Sequence, residues 1–317
     1  MTVAPVDGLA RVLDPWLCRL RGLDDLDAPV VVACSGGADS LALLAFASAA
    51  ALRPTAVYVD HGLRAESALE GGQVADVAAR LGAAARAVHV DVPAGPNLEA
   101  RARDARYAAL HRARGELRAT AVLVGHTADD QAETVLLNLL RGSGPAGLAG
   151  MAVRSGDVVR PLLGMRRADT VEICERLGVT PLHDPMNDDV AYRRVWIRRE
   201  VMPLLERGAR RDLVAVLARQ ADVVGEESRW LDEVAAAAWP PDGVHDEPPA
   251  RALLALPLPL QRRALRIWLG PRPPSLAEVE RVLAVARGER RATELSSGRR
   301  VARTAGRLRI EDVPGPA

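Results

Sequence analysis

The chain contains no lysine: its 42 basic residues are all arginine, and they face 41 acidic residues, which leaves a formal net charge of +1 over 317 residues. The absence of lysine excludes every mechanism that needs a lysyl nucleophile or a Schiff base. Cysteine is also scarce, with Cys18, Cys34 and Cys174 scattered along the chain. Three thiols without a C-x-x-C pair predict neither a disulfide framework nor a zinc site, and they favour a reducing cytoplasm.

Two further absences narrow the class of protein. No apolar run is long enough to predict a membrane span, and residues 1–10 lack the charged start and apolar stretch of a secretory signal. The length suggests two domains at roughly 150 residues each, and 49% apolar residues suffice for their cores. We therefore expect a globular cytoplasmic protein that does not bind membranes.

The near-neutral total hides two basic regions. Residues 190–211 contain seven Arg and two acids, and residues 251–317 contain fourteen Arg and six acids. The local balances of +5 and +8 suit binding to the phosphates of a nucleic acid. A solvated basic surface is the alternative for both regions.

The run VVVACSGGADS has the pattern of a buried strand, a small-residue turn and a helix start. Unpaired backbone amides at such a turn attract anions, so the run predicts a phosphate-binding loop. Gly36 and Gly37 permit a sharp bend, and Ser35 and Ser40 add hydroxyl donors. Asp39 would repel a phosphate unless a divalent cation lay between them, so it predicts Mg²⁺. A serine-glycine turn without a ligand is the alternative.

Residue identity excludes two familiar phosphate loops. A Walker loop needs a lysine after its second glycine, which this chain lacks, and the glycine spacing of dinucleotide-binding folds is absent here. The hexapeptide SGGADS instead resembles the S-G-G-x-D-S loop of the PP-loop ATP pyrophosphatases, which holds the pyrophosphate of ATP. The resemblance implies that the ATP phosphates are bound by Ser35, Gly36, Gly37, Ala38, Asp39 and Ser40.

Strand and helix patterns alternate through the first part of the chain. Strands are predicted at residues 30–33, 56–60, 87–91, 121–125 and 158–161, and helices at 40–52, 67–81, 98–114, 129–140 and 167–177. Apolar strands separated by helices predict an α/β fold with a doubly wound parallel sheet. Ligands bind such sheets beyond the carboxyl ends of the strands.

The pattern changes after residue 190. Helices are predicted at 195–205, 211–238, 260–269 and 276–286, with closing strands near 293–295 and 299–310 and turns at Gly298 and Gly306. We expect a PP-loop catalytic domain at 1–205, a helical linker region with a Pro-rich stretch at 206–249, and a small α+β domain at 250–317.

A second polar cluster begins the helix predicted at 129–140. Asp130 and Glu133 are three residues apart and share a helix face, and His126 precedes them. Acids in a first turn are often helix caps, but this turn should face the same pocket as the phosphate loop. Two carboxylates there suit either Mg²⁺ or a cationic amine, and His126 suits a hydrogen-bonding wall of the pocket.

The chain resembles the bacterial tRNA(Ile)-lysidine synthases, a branch of the PP-loop superfamily. Between residues 30 and 205 it carries, in the family's order, SGGADS, VDHGLR, NLEARAR followed by RY, RGSGPAGL, RPLL, HDPMND and IR. Each motif is a weak signal and together they are specific. LPLQRRALR is similar to the family's tRNA-contacting domain. Two features depart from the pattern: the Asn that usually precedes the Ile-Arg pair is missing, and there is one C-terminal domain, as in shorter members.

The resemblance implies an ATP-dependent ligase. In the family, ATP adenylates the C2 carbonyl oxygen of the wobble cytidine in the CAU anticodon of tRNA(Ile), and pyrophosphate leaves. The ε-amine of free lysine then attacks C2, and AMP leaves. Members are often homodimers, so a homodimer is a further expectation.

The resemblance also assigns roles by position. Asp60 and His61 flank the nucleoside, Arg106 binds a phosphate, and His126 completes the ATP-binding residues. The catalytic residues are Asp39, which holds Mg²⁺, and Asp130 with Glu133, which hold the lysine amine. The tRNA-binding residues are expected to be Arg198, Arg199, Arg262 and Arg263.

Three alternatives remain open. A PP-loop tRNA sulfur transferase would thiolate the tRNA after the same adenylation, but it usually needs paired cysteines or an iron–sulfur site. A synthetase coupled to an amidotransferase needs a glutaminase or another ammonia source, and no cysteine-nucleophile glutaminase pattern is present. A non-catalytic RNA-binding protein would be expected to lose Asp39 or the Asp130–Glu133 pair, and all three acids are present.

Overall fold

The computed structural model describes residues 6–62, 67–92, 95, 98–182, 189–190, 192–240, 247–270 and 274–312. The chain forms two compact units, Met1–Val223 and Val224–Ala317. Their division falls inside one continuous helix, Leu213–Ala238. The domain boundaries expected at residues 205 and 249 remain predictions.

A six-stranded sheet lies at the centre of the first unit. Its strands are β1 (Val30–Ala33), β2 (Pro54–Asp60), β3 (Ala84–His89), β4 (Ala121–Leu123), β5 (Arg154–Ser155) and β6 (Val158–Val159). Their order is β3-β2-β1-β4-β6-β5, and only the β5–β6 pair is antiparallel. The strand order therefore reverses between β1 and β4, which is the switch point where ligands bind. The α/β fold with a doubly wound, largely parallel sheet is confirmed.

Helices cover both faces of this sheet. They are α1 (Val6–Leu13), α2 (Ala38–Ala49), α3 (Ser67–Arg80), α4 (Leu98–Glu116), α5 (Ala128–Leu140), α6 (Pro145–Leu148) and α7 (Arg167–Arg176), with 3₁₀ turns at Asp14–Arg19 and Pro161–Gly164. Val30 and Val32 pack into the core formed with α1, α2, α3 and α7. Val31 points to the other face and packs into the core formed with α4. Burial on both faces explains why β1 is apolar at every position.

The first unit continues into a long helical segment that packs on α5. It comprises α8 (Arg193–Trp196), a π-helical turn at Ile197–Val201, α9 (Met202–Ala209) and the first part of α10 (Leu213–Ala238). Ile197, Met202 and Val214 pack against the apolar face of α5. This contact brings the arginines of the segment to the helix that carries Asp130 and Glu133.

The second unit has its own core. Its elements are the end of α10, α11 (Ala250–Leu254), α12 (Leu258–Trp268), α13 (Leu276–Arg287) and the antiparallel strands β7 (Ala292–Glu294), β8 (Arg299–Thr304) and β9 (Arg307–Asp312). Trp239 is fully buried and meets Trp268 edge-on, with 5.4 Å between ring centroids. Trp239 lies in the region 206–249 that was expected to be a helical linker with a Pro-rich stretch, yet it belongs to this core.

The structure adds elements that the sequence patterns did not reveal, namely α1, the 3₁₀ turns, α6, β5 and α11. The closing strand expected near 299–310 is two strands that turn at Gly306. Motif residues 63, 64, 97 and 183–188 lie outside the described residues. Among the helices that the structure describes, none has both the length and the apolarity needed to cross a membrane.

Candidate active site

The loop after β1 bends as its glycines predict. Gly36 has a φ of +82°, and a Cβ there would lie 2.4 Å from Leu182 Cδ1. Gly37 is the N-cap of α2. Its carbonyl accepts hydrogen bonds from Leu41 N at 3.1 Å and from Ser40 Oγ at 2.9 Å. The loop thus needs glycine at position 36 and leads directly into the start of α2.

Most backbone amides of this loop have no acceptor within the described part of the protein. The residues with such open N–H groups are Ser35, Gly37, Ala38, Asp39 and Ser40, whereas the Gly36 N–H donates to the thiol of Cys34. Open amides at a helix N-terminus bind anions. A turn with a purely structural role would be expected to satisfy its own amides, so this geometry favours a ligand-binding loop.

The loop after β4 contacts the phosphate loop through Gly125. A Cβ at this position would lie 2.9 Å from the carbonyl oxygen of Asp39 and 3.2 Å from the amide nitrogen of Ser40. Thr127 then caps α5 in a capping box: Thr127 N donates to Asp130 Oδ2 at 2.9 Å, and Thr127 Oγ1 accepts from Asp130 N at 3.5 Å. Helix α5 therefore begins beside the start of α2, at the switch point of the sheet.

Two arginines occupy the acidic pair of α5. Glu133 is 2% exposed and accepts hydrogen bonds from Arg198 Nε at 2.7 Å and from Arg167 Nη2 at 3.4 Å. Asp130 Oδ1 accepts from Arg167 Nη2 at 2.9 Å. Burial opposes ionisation of Asp130, but Arg167 and other partners hold its pKa below the ordinary value. The carboxylates expected to hold the lysine amine are thus already paired with guanidinium groups.

Arg198 was expected to contact tRNA, and the structure places it in this buried cluster instead of on an open surface. The packing of neighbouring Ile197 against α5 sets that position. Arg199 is exposed on the same π-helical turn. In the second unit, Arg262 Nε lies 2.6 Å from Glu280 Oε1, and Arg263 is ion-paired with Asp232. The tRNA-binding role of these arginines remains a prediction.

Asp39 lies next to the same cluster. Its Oδ1 accepts a hydrogen bond from Thr170 Oγ1, and its Oδ2 is 3.9 Å from Arg167 Nε. Burial raises the pKa of Asp39 to about 6, and the Asp130 carboxylate adds to the rise. The hydrogen bond from Thr170 acts in the opposite direction. Because its surroundings oppose its negative charge, Asp39 is suited to a bound cation.

The donor set fits magnesium bound together with a nucleotide. Mg²⁺ in such sites takes one or two carboxylates and fills its other positions with phosphate oxygens and water. Asp39 supplies one carboxylate beside the open amides of the loop. Within the described ranges, no group of three or more acidic, histidine or cysteine side chains forms a protein-only metal site. The residues therefore fit a nucleotide-bound ion.

Asp60 is the last residue of β2 and His61 follows it, so both lie at the strand end, as expected. Asp60 Oδ1 accepts from Gly62 N at 2.8 Å, and its Oδ2 lies 3.2 Å from His89 Nδ1. The hydrogen bond to Asp60 raises the pKa of His89. His89 was missed in the sequence, although it is the register partner of Asp60 on the neighbouring strand. Through these contacts, Asp60 ties His89 to the loop after β2, where the nucleoside is expected to bind.

Basic groups form another wall of the site. Burial lowers the pKa of His126 to about 3, and the charges of Arg160 and Arg106 contribute to the decrease. Burial and Arg106 also lower the pKa of His61. Both imidazoles are therefore neutral at pH 7. The expected residues Arg106 and His126 come together, and Arg160 joins them from the end of β6.

The thiols of the first unit do not suit sulfur chemistry. Cys34 and Cys174 are buried. Burial raises the pKa of both thiols, that of Cys174 to about 12. Reactive cysteines are thiolates at neutral pH, so these two are inert. Cys18 is exposed and carries no second thiol near it in the sequence.

Comparisons with known proteins agree with this geometry. Residues 20–205 match the family model of the PP-loop domain. The tRNA(Ile)-lysidine synthase of Salinispora arenicola is 45% identical over 311 residues, covering 91% of this chain and 92% of the relative. That of Salinispora tropica is 45% identical over 334 aligned residues, covering 98% and 97%. That of Rhodococcus erythropolis is 46% identical over 241 residues, covering 76% and 73%.

A U34-tRNA thiolase from Methanococcus maripaludis, solved with its [4Fe-4S] cluster, has a similar fold with a TM-score of 0.54. It covers 70% of this chain and 78% of its own, at 19% identity, so the similarity concerns the fold alone. The lysidine synthases, in contrast, match nearly the whole chain, well beyond the phosphate loop. The chain therefore belongs to the tRNA(Ile)-lysidine synthase family of the PP-loop superfamily.

Proposed function

We propose that this protein ligates free lysine to C2 of the wobble cytidine in the CAU anticodon of tRNA(Ile), converting ATP to AMP and pyrophosphate. One observation carries the proposal. At Gly125, the loop with open amides contacts the segment that leads into α5, the helix that bears Asp130 and Glu133. That contact brings a place for phosphates and a place for a cationic amine to one switch point.

The first step needs the residues of the phosphate loop. The open amides of Ser35 and of residues 37–40, at the positive end of the α2 dipole, bind the β- and γ-phosphates. Asp60 at the end of β2 and His61 just after it flank the nucleoside. Asp39 would hold Mg²⁺, which supplies charge stabilisation for the departing pyrophosphate. The C2 oxygen of cytidine then bonds to the α-phosphorus as the bond to pyrophosphate breaks.

The second step needs the acidic pair. A lysine ammonium carries the same charge as the guanidinium groups now on Asp130 and Glu133, so it is able to take over one of their contacts. The 3.4 Å contact of Arg167 with Glu133 is longer than the 2.7 Å contact of Arg198. We therefore assign the exchange to Arg167. The ammonium first gives a proton to solvent. The amine nitrogen then bonds to C2, the bond between C2 and the adenylated oxygen breaks, and AMP leaves with that oxygen.

The sulfur-transferase alternative is not favoured. It would need an accessible thiolate or a cluster-binding set of cysteines. Cys34 and Cys174 are buried and protonated, and Cys18 has no partner thiol among the described residues.

Incubation with ATP, Mg²⁺, radiolabelled lysine and a CAU transcript of tRNA(Ile), followed by nucleoside analysis, tests the proposal. We expect one labelled nucleoside per AMP released, and none when ATP is omitted. Asp39→Asn should abolish the product, whereas Asp104→Asn, the same change at an exposed site on α4, should not. AMP release without label in the tRNA would contradict lysine ligation.

The place and assembly of the protein are also proposals. We place the reaction in the cytoplasm, where ATP, lysine and tRNA are available, and we propose a homodimer because members of the family often dimerise. Sedimentation equilibrium of the purified protein tests the assembly. A single species at the 33.8 kDa of one chain would contradict it.

A further inference from the structure

Four arginines and a histidine beside the acidic pair form what we term the basic cluster. It consists of Arg103 and Arg106 on α4, His126 after β4, Arg160 after β6, and Arg194 on α8. In the part of the chain that the structure describes, none of the four arginines forms an ion pair with an acid. Positive charge is therefore in excess here, unlike at Asp130 and Glu133.

The members of the cluster act on one another electrostatically. Burial lowers the pKa of Arg106, and the charges of Arg103 and Arg194 lower it further. Burial is also the main reason for the low pKa of His126, with Arg160, Arg106 and Arg103 contributing. A folded protein keeps like charges in such proximity at a cost in free energy, and a bound anion would offset that cost.

Buried polar atoms of the cluster also have no hydrogen-bond partner. They are Nδ1 of His126 and Nε of Arg160, and the hydroxyl of Tyr107, next to Arg106 in α4, is also without a partner. The guanidinium group of Arg160 is held in place by a different nitrogen, Nη1, which donates to the carbonyl of Ala152 at 2.8 Å. The guanidinium groups of Arg103 and Arg106 lie 5.0 and 5.7 Å from the Tyr107 ring centroid. Unpaired buried donors are rare in proteins, so these atoms indicate a missing acceptor.

We propose that the basic cluster binds a backbone phosphodiester of the tRNA next to the target cytidine. The inference rests on the proposed function, in which that cytidine enters the site. A base that leaves its stack carries its flanking phosphates with it, and phosphate contacts fix its position.

The phosphates of ATP are the alternative anion for the basic cluster. Two observations favour a phosphate of the tRNA. The open amides of the phosphate loop already match the phosphates of ATP, and the four arginines of the cluster come from α4, α8 and the end of β6 instead. Arg103 is exposed, so the cluster extends from the interior to the surface, as a bound strand requires.

Binding of a labelled anticodon stem–loop RNA, measured by fluorescence anisotropy without ATP or lysine, tests this. In the RNA, each phosphate beside the wobble cytidine is replaced in turn by an uncharged methylphosphonate. We expect one replacement to weaken binding to the unaltered protein about tenfold. The same replacement should weaken RNA binding by less than about twofold in the Arg194→Gln and Arg103→Gln variants. Arg112→Gln, an exposed arginine of α4, should respond like the unaltered protein.

Equal sensitivity of all four proteins to every replacement would overturn the inference. So would variants that bind the RNA normally but lose affinity for pyrophosphate or ATP, because the cluster would then serve the nucleotide. Thermal melting of each variant checks its folding, and exposed Arg103 provides a variant with little structural risk. The assay involves no turnover, so a failure to form lysidine would refute the proposed function separately.

Discussion

Glu133 is held by Arg198 in a two-point contact, with Nε donating to Oε1 at 2.7 Å and Nη2 donating to Oε2 at 3.3 Å. The two residues are 65 positions apart in the chain. The carboxylate is 2% exposed and the guanidinium side chain 30%. The pair thus links the inner face of α5 to the helical segment that packs on it.

Arg198→Ala should destabilise the protein by about 2–4 kcal/mol, because Glu133 would keep only the longer contact with Arg167. Adding Glu133→Gln should recover part of the loss, since no buried charge then lacks its partner. Urea unfolding measures both. Arg207→Ala, at an exposed position of α9, should change stability by less than about 0.5 kcal/mol. Additive losses in the double variant would count against the pairing.

Asp39→Asn should make the protein more stable at pH 8 while abolishing pyrophosphate release. The folded-state pKa of Asp39, about 6, lies above the value of 3.8 that an exposed aspartate has. Its charged form therefore destabilises the fold above pH 6, and the penalty disappears as the pH falls towards 4. With the side chain 27% exposed, we expect a gain of about 1–2 kcal/mol at pH 8 and none near pH 4. Equal melting temperatures at pH 8 would contradict this.

The rate of adenylation should fall as the pH decreases through about 6, because Asp39 must be ionised to hold Mg²⁺. Thr170→Val removes the hydrogen bond that favours the charged carboxylate, so the acid limb should move to higher pH. The pH profile of kcat/KM for ATP, which reports the free enzyme, measures the shift. Thr304→Val, at an exposed position of β8, should leave the pH profile unchanged. A shifted profile in this control would weaken the assignment of the acid limb to Asp39.

Gly125→Ala should raise the Kd for ATP at least about tenfold, since the added methyl group meets the backbone of Asp39 and must displace the start of α2. Gly115→Ala is the matched control, because a Cβ on this residue of α4 meets no atom within 4 Å. Calorimetry should show an unchanged ATP affinity for the control. A Gly125→Ala protein with normal ATP affinity would show that the contact does not shape the loop.

Replacing Arg262 and Arg263 together by Gln should weaken tRNA binding and leave ATP affinity unchanged. Gln is chosen over Glu because Glu280 and Asp232 pair with these arginines, and two facing carboxylates would disturb the fold. The salt dependence of tRNA binding should decrease, by roughly one counterion per lost phosphate contact. If the salt dependence of tRNA binding did not change, these arginines of α12 would not contact the tRNA.

The parts of the fold with strong local patterns could be predicted from the sequence. The strand at Val30–Ala33 has the expected bounds because all four residues are apolar and the turn follows at once. β3 begins three residues before the expected 87, since Ala84–His89 is a largely exposed edge strand with little apolar signal. The phosphate loop was predictable for the same reason as β1, because its residues are consecutive.

The electrostatic partners in the site could not be predicted, because they are brought together only by packing. Arg167 was visible as the start of a helix, but nothing near it in the sequence indicates contacts with Asp130 and Glu133. Arg198 was expected to contact tRNA, and nothing near it in the sequence indicates its pairing with Glu133, which depends on the packing of Ile197 against α5. His89 could have been found from the register of neighbouring strands, had the bounds of β3 been known.

The choice of guanidinium over ammonium at Glu133 has a chemical consequence. An adenylated base is a strong electrophile, and an enzyme lysine beside the acidic pair would present the very nucleophile that the reaction uses. Arg167 and Arg198 supply the same charge, yet a guanidinium stays protonated and does not attack. In a chain without lysine, the activated tRNA is safe from capture by the protein's own side-chain amines.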